Sequence, residues 1–355
     1  MTKKYSSTDV PLKIQILREK MRAFSADEVQ HLIHQVISQE ATIHMCYPFG
    51  DLIGPIEYFD MVYQPLLKSI PDLERREMIC VTGITEKQQT WLGTMGNYMG
   101  TFLSPFLEIP PNGHLVHMRF HEFFCIEDDK IIEVQAIWDI PELMMQARSW
   151  PMAPQLGAFL CTPSPINGDG LTCSGDGLGS MQIVKDMLTD LCRHPGNPNP
   201  EVMNLDKYWH PRFNWYGPAG IGTARGISGF RHWHQIPFLR GMPDRMVDSN
   251  SDRNSNWVAD THWISQGDYV CETGWPNMRM GLTGDGWMGI APVCKEIFLR
   301  SLDFWKIEEG LIRENWVLVD LLDVYRQVGV DVFARLREFN KARAIQPLTM
   351  ENGLK

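Results

Sequence analysis

The chain of 355 residues is longer than the roughly 100 to 200 residues of a typical domain, so its length favours two domains. Hydrophobic residues make up 44% and charged residues 21% of the sequence, which is the balance of a globular protein and excludes an intrinsically disordered one. The formal net charge of -10 comes from scattered acidic residues, so it argues against a nucleic acid partner.

Residues 25–40 begin the predicted elements with a helix, in which Ser25 and Glu28 have capping-box spacing. Residues 54–69 predict a second, shorter helix. Two runs rich in β-branched and aromatic residues, 115–126 and 131–138, then predict strands, and the acidic turn 127–130 between them is typical of a hairpin.

Two segments of the first half recur in the second half. Residues 54–72 align with 226–244 at an offset of 172, and residues 93–146 align with 274–327 at an offset of 181 without a further gap. Such a repeat predicts two copies of one architecture. Helices followed by a meander of antiparallel strands form an α+β layer, in which a curved sheet wraps around helices and leaves a cavity.

A stretch rich in Pro and Gly separates the two copies. It contains PMAPQLG and INGDGLTCSGDGLGS, a composition typical of a linker. We therefore expect the first repeat over residues 1–150, the linker over 151–179 and the second repeat over 180–345.

Neither metal nor membrane chemistry is indicated. The eight cysteines never form C-x-x-C, and His232 and His234 are two residues apart on a predicted helix, where they cannot share one ion. No window approaches the roughly 18 apolar residues of a membrane span, and the opening MTKKYSSTDVPLKIQ lacks the apolar stretch of a secretory signal. We expect a cytoplasmic protein without metal, cofactor or membrane partner.

Two motifs carry a family resemblance. The run PFLEIPPNG (105–113), followed by HEFFCIEDDKIIEVQAIWD (121–139), resembles the pattern of SnoaL-like polyketide cyclases. The second copy is similar through WMGIAP (287–292), residues 303–322 and residues 210–230, although Val293 and Cys294 replace Thr and Gly in the turn. The resemblance implies a tandem repeat of two cone-shaped α+β barrels of the nuclear-transport-factor-two-like superfamily.

The resemblance also implies a chemistry. Family cyclases use one pocket carboxyl as acid and base in an aldol ring closure without a cofactor, and its motif position falls on Asp139 and Asp320. An apolar cavity raises the pKa of such a carboxyl toward the working pH. The competing interpretation is structural, because Asp139 and Glu142 have capping-box spacing and Asp320 likewise precedes a helix-forming run.

Residues around these aspartates are candidates for substrate binding. Period-two alternation places Glu133 and Gln135 on one face with Asp139, and Glu314 and Trp316 with Asp320. That face is either the cavity or a solvated strand surface. The family also has a histidine on a neighbouring strand of its pocket, and the resemblance implies His121 in that place. The remaining candidates are ring side chains of the second copy that have a polar atom, namely His234, Trp287 and Trp305. These either line the cavity or fill a core or an interface.

Three functions remain open. The first is cofactor-independent acid/base chemistry, an aldol-type cyclisation or isomerisation of a hydrophobic, carbonyl-bearing small molecule. The second is non-catalytic binding of such a ligand, which predicts that Asp139 and Asp320 both cap helices and that the cavities are uniformly apolar. The third is hydrolysis of an ester or epoxide. The two copies are expected to form a pseudo-dimer within one chain, and a homodimer is a further possibility.

Overall fold

The computed structural model describes residues 10–194, 196–197, 199–247 and 259–341, so residues 342–345 of the predicted second repeat lie outside it. The chain forms two compact units. Unit 1 contains Met1–Pro151 together with Asp331–Lys355, and unit 2 contains Met152–Val330. The segment predicted as a linker, 151–179, therefore falls almost wholly within unit 2, and the chain after residue 330 returns to unit 1.

Unit 1 consists of one curved sheet with helices against one face. Its helical segments are α1 (Leu12–Met21), α2 (Ala26–Val36), α3 (Gly54–Tyr58), π1 (Phe59–Tyr63), α4 (Gln64–Ser69), α5 (Ile140–Gln146) and α11 (Val332–Phe339). Its strands are β1 (Ile37–Met45), β2 (Gly50–Ile53), β3 (Glu74–Ile84), β4 (Thr90–Thr101), β5 (Leu115–Glu127) and β6 (Lys130–Trp138). They pair in the order β2-β1-β6-β5-β4-β3, and only β1 and β6 run parallel.

Unit 2 repeats this arrangement. Its helical segments are α6 (Leu178–Leu191), a short 3₁₀ turn (Pro200–Met203), α7 (Leu205–Tyr208), α8 (Gly226–Phe230), π2 (Arg231–Gln235), α9 (Ile236–Gly241) and α10 (Leu321–Gln327). Its strands are β7 (Trp209–Tyr216), β8 (Thr223–Arg225), β9 (Met246–Val247), β10 (Thr261–Gln266), β11 (Tyr269–Gly281), β12 (Glu296–Glu308) and β13 (Leu311–Val319). The sheet order is β10-β11-β12-β13-β7-β8, with β9 on β11.

The predicted repeat is confirmed over most of its length. The three consecutive helical segments of unit 1 that begin at Gly54 recur in unit 2 from Gly226, at the predicted offset of 172. In the paired strands, Phe123 lies opposite Gln135 and Phe304 lies opposite Trp316, as the offset of 181 requires. The fold class inferred from the resemblance, two α+β barrels in tandem, is therefore correct.

The two predicted hairpins are also present. Asp128 and Asp129 both have positive φ, as do Glu309 and Gly310, so each hairpin turns through two left-handed residues. Such turns match the right-handed twist of the flanking strands. The degraded turn of the second repeat keeps its geometry, because Cys294 takes a φ of 49°, close to the left-handed conformation of Gly113 at 71°.

Two sequence predictions need correction. The ungapped offset of 181 fails in β11, where Phe304 pairs with Cys271 and not with Gly274, although Phe123 pairs with Gly93. The cause is an irregularity in β11 after Gly274, where the pairing register shifts before Met278. The predicted helix over 25–40 ends early as well, at Val36, because the following residues form β1.

Each sheet has an inner face, which meets the helices, and an opposite outer face. In unit 1, Tyr63 of π1 packs against Tyr98 and Trp138, so these two strand residues lie on the inner face. In unit 2, His234 of π2 stacks on Trp215 with ring centroids 4.0 Å apart, which identifies the inner face there. Residues paired directly across neighbouring strands share a face, so these contacts assign each strand position to one side.

Candidate functional site

Asp139 and Asp320 both cap helices. Asp139 is the N-cap of α5 and accepts a hydrogen bond from the amide of Glu142 at 3.3 Å, while Asp320 caps α10 through the amide of Asp323 at 3.2 Å. Both side chains are buried, and each lies near an arginine on the preceding strand: Arg119 at 3.6 Å and Arg300 at 3.3 Å. The capping interpretation is thus confirmed, and the acid/base role of either carboxyl stays a prediction.

The other candidates in unit 1 lie on the outer face. His121 and Gln135 have no exposed surface. His121 lies one residue from Phe120, and Gln135 lies three residues from Trp138, its inner-face partner. Both are odd spacings, so the two side chains leave the sheet on the other side. From the sequence we expected this face to be either the cavity or a solvated strand surface. The outer face is neither of these, because it is buried and faces away from the helices.

Glu314 and Trp316 lie on the outer face of unit 2. Both contact residues of the segment 151–179, which the sequence predicted as a linker. The amide of Ile166 donates to Glu314 Oε2 at 2.9 Å, and Trp316 Nε1 donates to the carbonyl of Pro163 at 3.2 Å. Tyr216 completes the environment by donating to Glu314 Oε1 at 3.1 Å. Burial raises the pKa of Glu314 above its usual range, against the opposing effect of these hydrogen bonds.

The inner face of unit 1 contains a buried carboxylate that is surrounded by donors. Glu122 has no exposed surface, and it accepts hydrogen bonds from Tyr98 Oη at 2.8 Å, Trp138 Nε1 at 2.9 Å and Arg75 Nη2 at 2.7 Å. The Arg75 guanidinium also bonds Thr94 at 3.0 Å. Three donors, one of them cationic, stabilise the ionised carboxylate in an interior without water contact.

Around this carboxylate the interior of unit 1 is filled. The hydroxyl groups of Tyr58, Tyr63 and Tyr98 form a chain with oxygen separations of 3.1 Å and 3.3 Å. Burial, followed by the neighbouring ionisable groups, raises the pKa of all three phenols well above its ordinary value. Arg75 also contacts Glu77, which is held in turn by Arg18 at 2.6 Å. The inner face of unit 1 is therefore a closed network of charges and hydroxyls.

Unit 2 has a carboxylate at the same position, but different neighbours. Asp303 corresponds to Glu122 at the offset of 181, and Ser301 Oγ donates to Asp303 Oδ1 at 2.8 Å. The strand pairing identifies the residues at the positions of Tyr98, Trp138 and Thr94, which surround Glu122 in unit 1. In unit 2 these are Met278, Val319 and Glu272. Glu272 lies directly across from Asp303 and is almost completely buried.

Aromatic side chains line the inner face around Asp303. Trp305, two residues along β12, stacks on Trp263 with ring centroids 5.8 Å apart and an interplanar angle of 16°. His234 stacks on Trp215, and burial lowers the pKa of its imidazole to about 3, so the ring is neutral at pH 7. Trp287 meets Phe238 edge to face at 5.6 Å. The inner face is thus largely aromatic here, with Asp303 and Glu272 as adjacent acidic residues and Lys185 Nζ 5.5 Å from the centroid of the Trp263 ring.

Several polar atoms of this lining are buried without a partner. Within residues 10–194, 196–197, 199–247 and 259–341, neither Trp305 Nε1, Trp287 Nε1 nor His234 Nδ1 has a hydrogen-bond partner. Buried polar groups are usually satisfied, so an unpartnered one calls for an explanation, and contact with a ligand is one such explanation. Trp287, Trp305 and His234, all predicted from the sequence, thus share the inner face or its surroundings, whereas Glu314 and Trp316 do not.

Sequence reasoning missed Asp303 and Glu122 as candidates. The signal was present, because the repeat aligns two acidic residues at this position in otherwise apolar strands. The strand pattern alone does not tell which face meets the helices. The family motif therefore pointed to Asp139 and Asp320. These residues follow the strands next to those that carry Glu122 and Asp303.

Two further observations concern metal ligands and membrane-spanning helices. Among the described residues, no three His, Cys, Asp or Glu side chains stand close enough together to hold a metal ion. In the same part of the chain, every helix is too short or too polar to cross a bilayer.

Comparison with known proteins gives matches to part of the chain. The sequence profile described as SnoaL-like polyketide cyclase matches residues 15–147. Among solved structures, the chain is similar to a SnoaL-like polyketide cyclase from Agrobacterium tumefaciens, with 21% identity over 38% of this chain and 94% of that one, at a TM-score of 0.30.

Two other solved structures are similar over comparable lengths. IdmH from Streptomyces antibioticus shares 21% identity over 38% of this chain and 94% of its own, with a TM-score of 0.32. An NTF2-like protein from Burkholderia xenovorans shares 14% identity over 42% of this chain and 96% of its own, with a TM-score of 0.30. No curated protein matches the sequence. The match to the SnoaL-like polyketide cyclase profile lies within unit 1, and unit 2 repeats the fold of unit 1.

Proposed function

We propose that the chain catalyses cofactor-independent acid/base chemistry on a hydrophobic, carbonyl-bearing small molecule, and that Asp303 in unit 2 is the acid/base group. One observation carries the proposal. Both units place a carboxylate at the same inner-face position, but Glu122 is enclosed by Arg75, Tyr98 and Trp138, while Asp303 lies two residues from Trp305, whose indole N–H has no hydrogen-bond partner among the described residues.

The chemistry follows from this environment. A carboxylate takes a proton from the carbon next to a carbonyl group, and the resulting enolate attacks a second carbonyl within the same molecule, which closes a ring. The carboxylic acid then returns its proton to the new alkoxide, so no cofactor is consumed. Trp263 and Trp305 offer flat apolar surfaces for the substrate, and the indole N–H of Trp305 is a donor for a carbonyl or enolate oxygen.

Asp139 and Asp320 remain the alternative acid/base candidates that the resemblance implies. In each carboxyl, Oδ1 accepts a helix amide and Oδ2 lies near an arginine, and a general base must reach the proton that it removes. Either residue would have to separate from its arginine or leave its cap to act. We therefore rank Asp303 first and treat substitution of the two capping residues as a separate test.

Non-catalytic ligand binding is the second candidate function. It predicts that Asp139 and Asp320 both cap helices, which is what the structure contains. It also predicts uniformly apolar interiors. The presence of Asp303 and Glu272 together on the inner face of unit 2 speaks against that second condition.

Deuterium exchange tests the proposal before the natural substrate is identified. The full-length protein is incubated in D2O with a panel of hydrophobic β-keto esters, including aromatic polyketide esters, and α-carbon deuteration and ring closure are followed by NMR. We expect catalysed exchange that falls at least about 100-fold in Asp303→Asn, since general acid/base groups contribute that much. The exposed turn residue Glu309 provides the matched control, Glu309→Gln, which should keep the activity.

The outcomes separate the candidates. Activity that survives in Asp303→Asn but is lost in Asp320→Asn or Asp139→Asn, with an unchanged melting temperature, would move the acid/base role to a capping residue. Saturable quenching of tryptophan fluorescence by the same compounds, without any exchange, would instead support a binding protein.

A further inference from the structure

One extended segment, the strap, which comprises residues 155–169, contacts part of the outer face of the second sheet. At one end the strap adds to the sheet edge, because Gly157 N donates to the carbonyl of Ile221 at 2.7 Å and Ala158 exchanges two bonds of 2.9 Å with Thr223. This is the geometry in which peptides join an exposed edge strand. β8 is the edge strand concerned.

Beyond the edge, the strap crosses the face on polar contacts. Its carbonyl at Pro163 accepts the indole N–H of Trp316, and its amide at Ile166 donates to Glu314. Its carboxylate at Asp169 accepts hydrogen bonds from Lys306 Nζ, at 2.5 Å, and from the hydroxyl of Tyr269. The sheet thus presents a row of side chains. Along the strap, this row contacts first a backbone carbonyl, then a backbone amide and finally an acidic side chain.

The row itself is buried, whereas the strap is not. Lys306 and Glu314 are each about 1% exposed, and Trp316 has no exposed surface. On the strap, Phe159 is 46% and Ile166 is 57% exposed, and over residues 158–168 only Thr162 and Pro165 are buried. A segment held by polar bonds with little apolar burial opens at a lower free-energy cost than the sheet beneath it.

We propose that the outer face of the second sheet is a binding surface for an extended peptide that bears a carboxylate, and that the strap occupies this surface in cis. The strap acts as an autoinhibitory ligand, and a peptide in trans gains access only in proportion to the fraction of molecules with an open strap. The chemistry of the peptide partner follows from that of the strap. The strap backbone pairs with the sheet edge, and an acidic side chain farther along the strap contacts Lys306 and Tyr269.

A synthetic peptide provides the test. A fluorescein-labelled peptide with the sequence of residues 155–171 is titrated with the full-length chain, and binding is measured by anisotropy. Asp169→Asn removes the charge-assisted bonds of the strap, so the open fraction and the apparent affinity should rise about tenfold or more over the unsubstituted chain. Asn167→Ala is the matched control, because Asn167 is an exposed strap residue outside the contacts described above.

Hydrogen exchange of the same proteins supplies the second measurement. The amide of Ile166 should exchange about tenfold faster in Asp169→Asn than in Asn167→Ala, while the amides of β13 keep their rates. A peptide carrying Asn in place of Asp169 should bind about tenfold more weakly. Equal binding to all three proteins, equal binding of both peptides, or strap amides that exchange only together with β13 would overturn the proposal.

Discussion

Replacement of Arg75 by methionine tests whether the interior of unit 1 depends on its buried charges. Arg75 is 2% exposed and bonds Glu122 at 2.7 Å, Thr94 at 3.0 Å and also Glu77. Methionine keeps much of the side-chain volume but leaves Glu122 as an uncompensated buried carboxylate. Removing one partner of a buried ion pair costs about 3–5 kcal/mol, so we expect a loss of about 4 kcal/mol in the free energy of unfolding of unit 1.

Calorimetry converts this loss into a temperature. For a domain of this size, about 1 kcal/mol corresponds to a shift of 2–4 °C, so the transition of unit 1 should fall by about 8–16 °C. Because the two units need not unfold together, the transition of unit 2 is an internal reference. Arg76→Met is the matched control: its ion pair with Glu74 is exposed on both sides, and such pairs contribute about 0–1 kcal/mol.

A double variant separates charge from packing. In Arg75→Met with Glu122→Gln no buried carboxylate remains unpaired at this position, and Glu77 still has Arg18 as its partner at 2.6 Å. We expect the double variant to be more stable than Arg75→Met alone. Equal shifts for Arg75→Met and Arg76→Met, or losses that simply add in the double variant, would refute the idea that the network is held by charge.

Three smaller predictions concern single side chains. Asp139→Ala removes an N-cap and the ion-pair partner of buried Arg119, so it should lower the unfolding free energy of unit 1 by at least about 1 kcal/mol, which a urea midpoint would detect and an unchanged midpoint would contradict. Because burial raises the pKa of folded Glu314, its contribution to stability is full below the unfolded pKa and is lost as pH rises through the folded pKa. Glu314→Gln should therefore gain stability relative to the unsubstituted chain as the pH rises above 4.5, and a difference in urea midpoints that does not change with pH would exclude this. Cys294→Gly relieves a left-handed φ of 49° and should raise the melting temperature or leave it unchanged, so a clear decrease would show that the thiol packs usefully.

The sequence predicted the elements that depend on local chemistry. The hairpin turn that contains Asp128 is specified by neighbours in the chain and is present as predicted. The N-caps at Asp139 and Asp320, which the sequence left as one of two interpretations, are also present. The duplication was visible for the same reason, because hairpin and cap positions repeat together.

What the sequence could not give depends on three-dimensional context. Alternation groups Glu314 with Trp316 and separates them from Asp303, but it does not say which group meets the helices. The irregularity in β11 shifts the pairing of this strand with β12. Gly274 therefore does not lie at the position of Gly93, although the aligned sequences are identical there. The strap was read as a linker because its contacts are with residues far along the chain, such as Lys306, and its own composition is that of a loop.

The last helix gives the first unit a discontinuous sequence. After building unit 2, the chain returns to place α11 in unit 1, where Phe333 packs on Tyr47 and Arg337 pairs with Glu108 at 2.9 Å. During synthesis, every residue of unit 2 leaves the ribosome before these contacts can form. Unit 2 is therefore free to complete its folding first, and a fragment that stops near residue 151 exposes the surface that α11 covers.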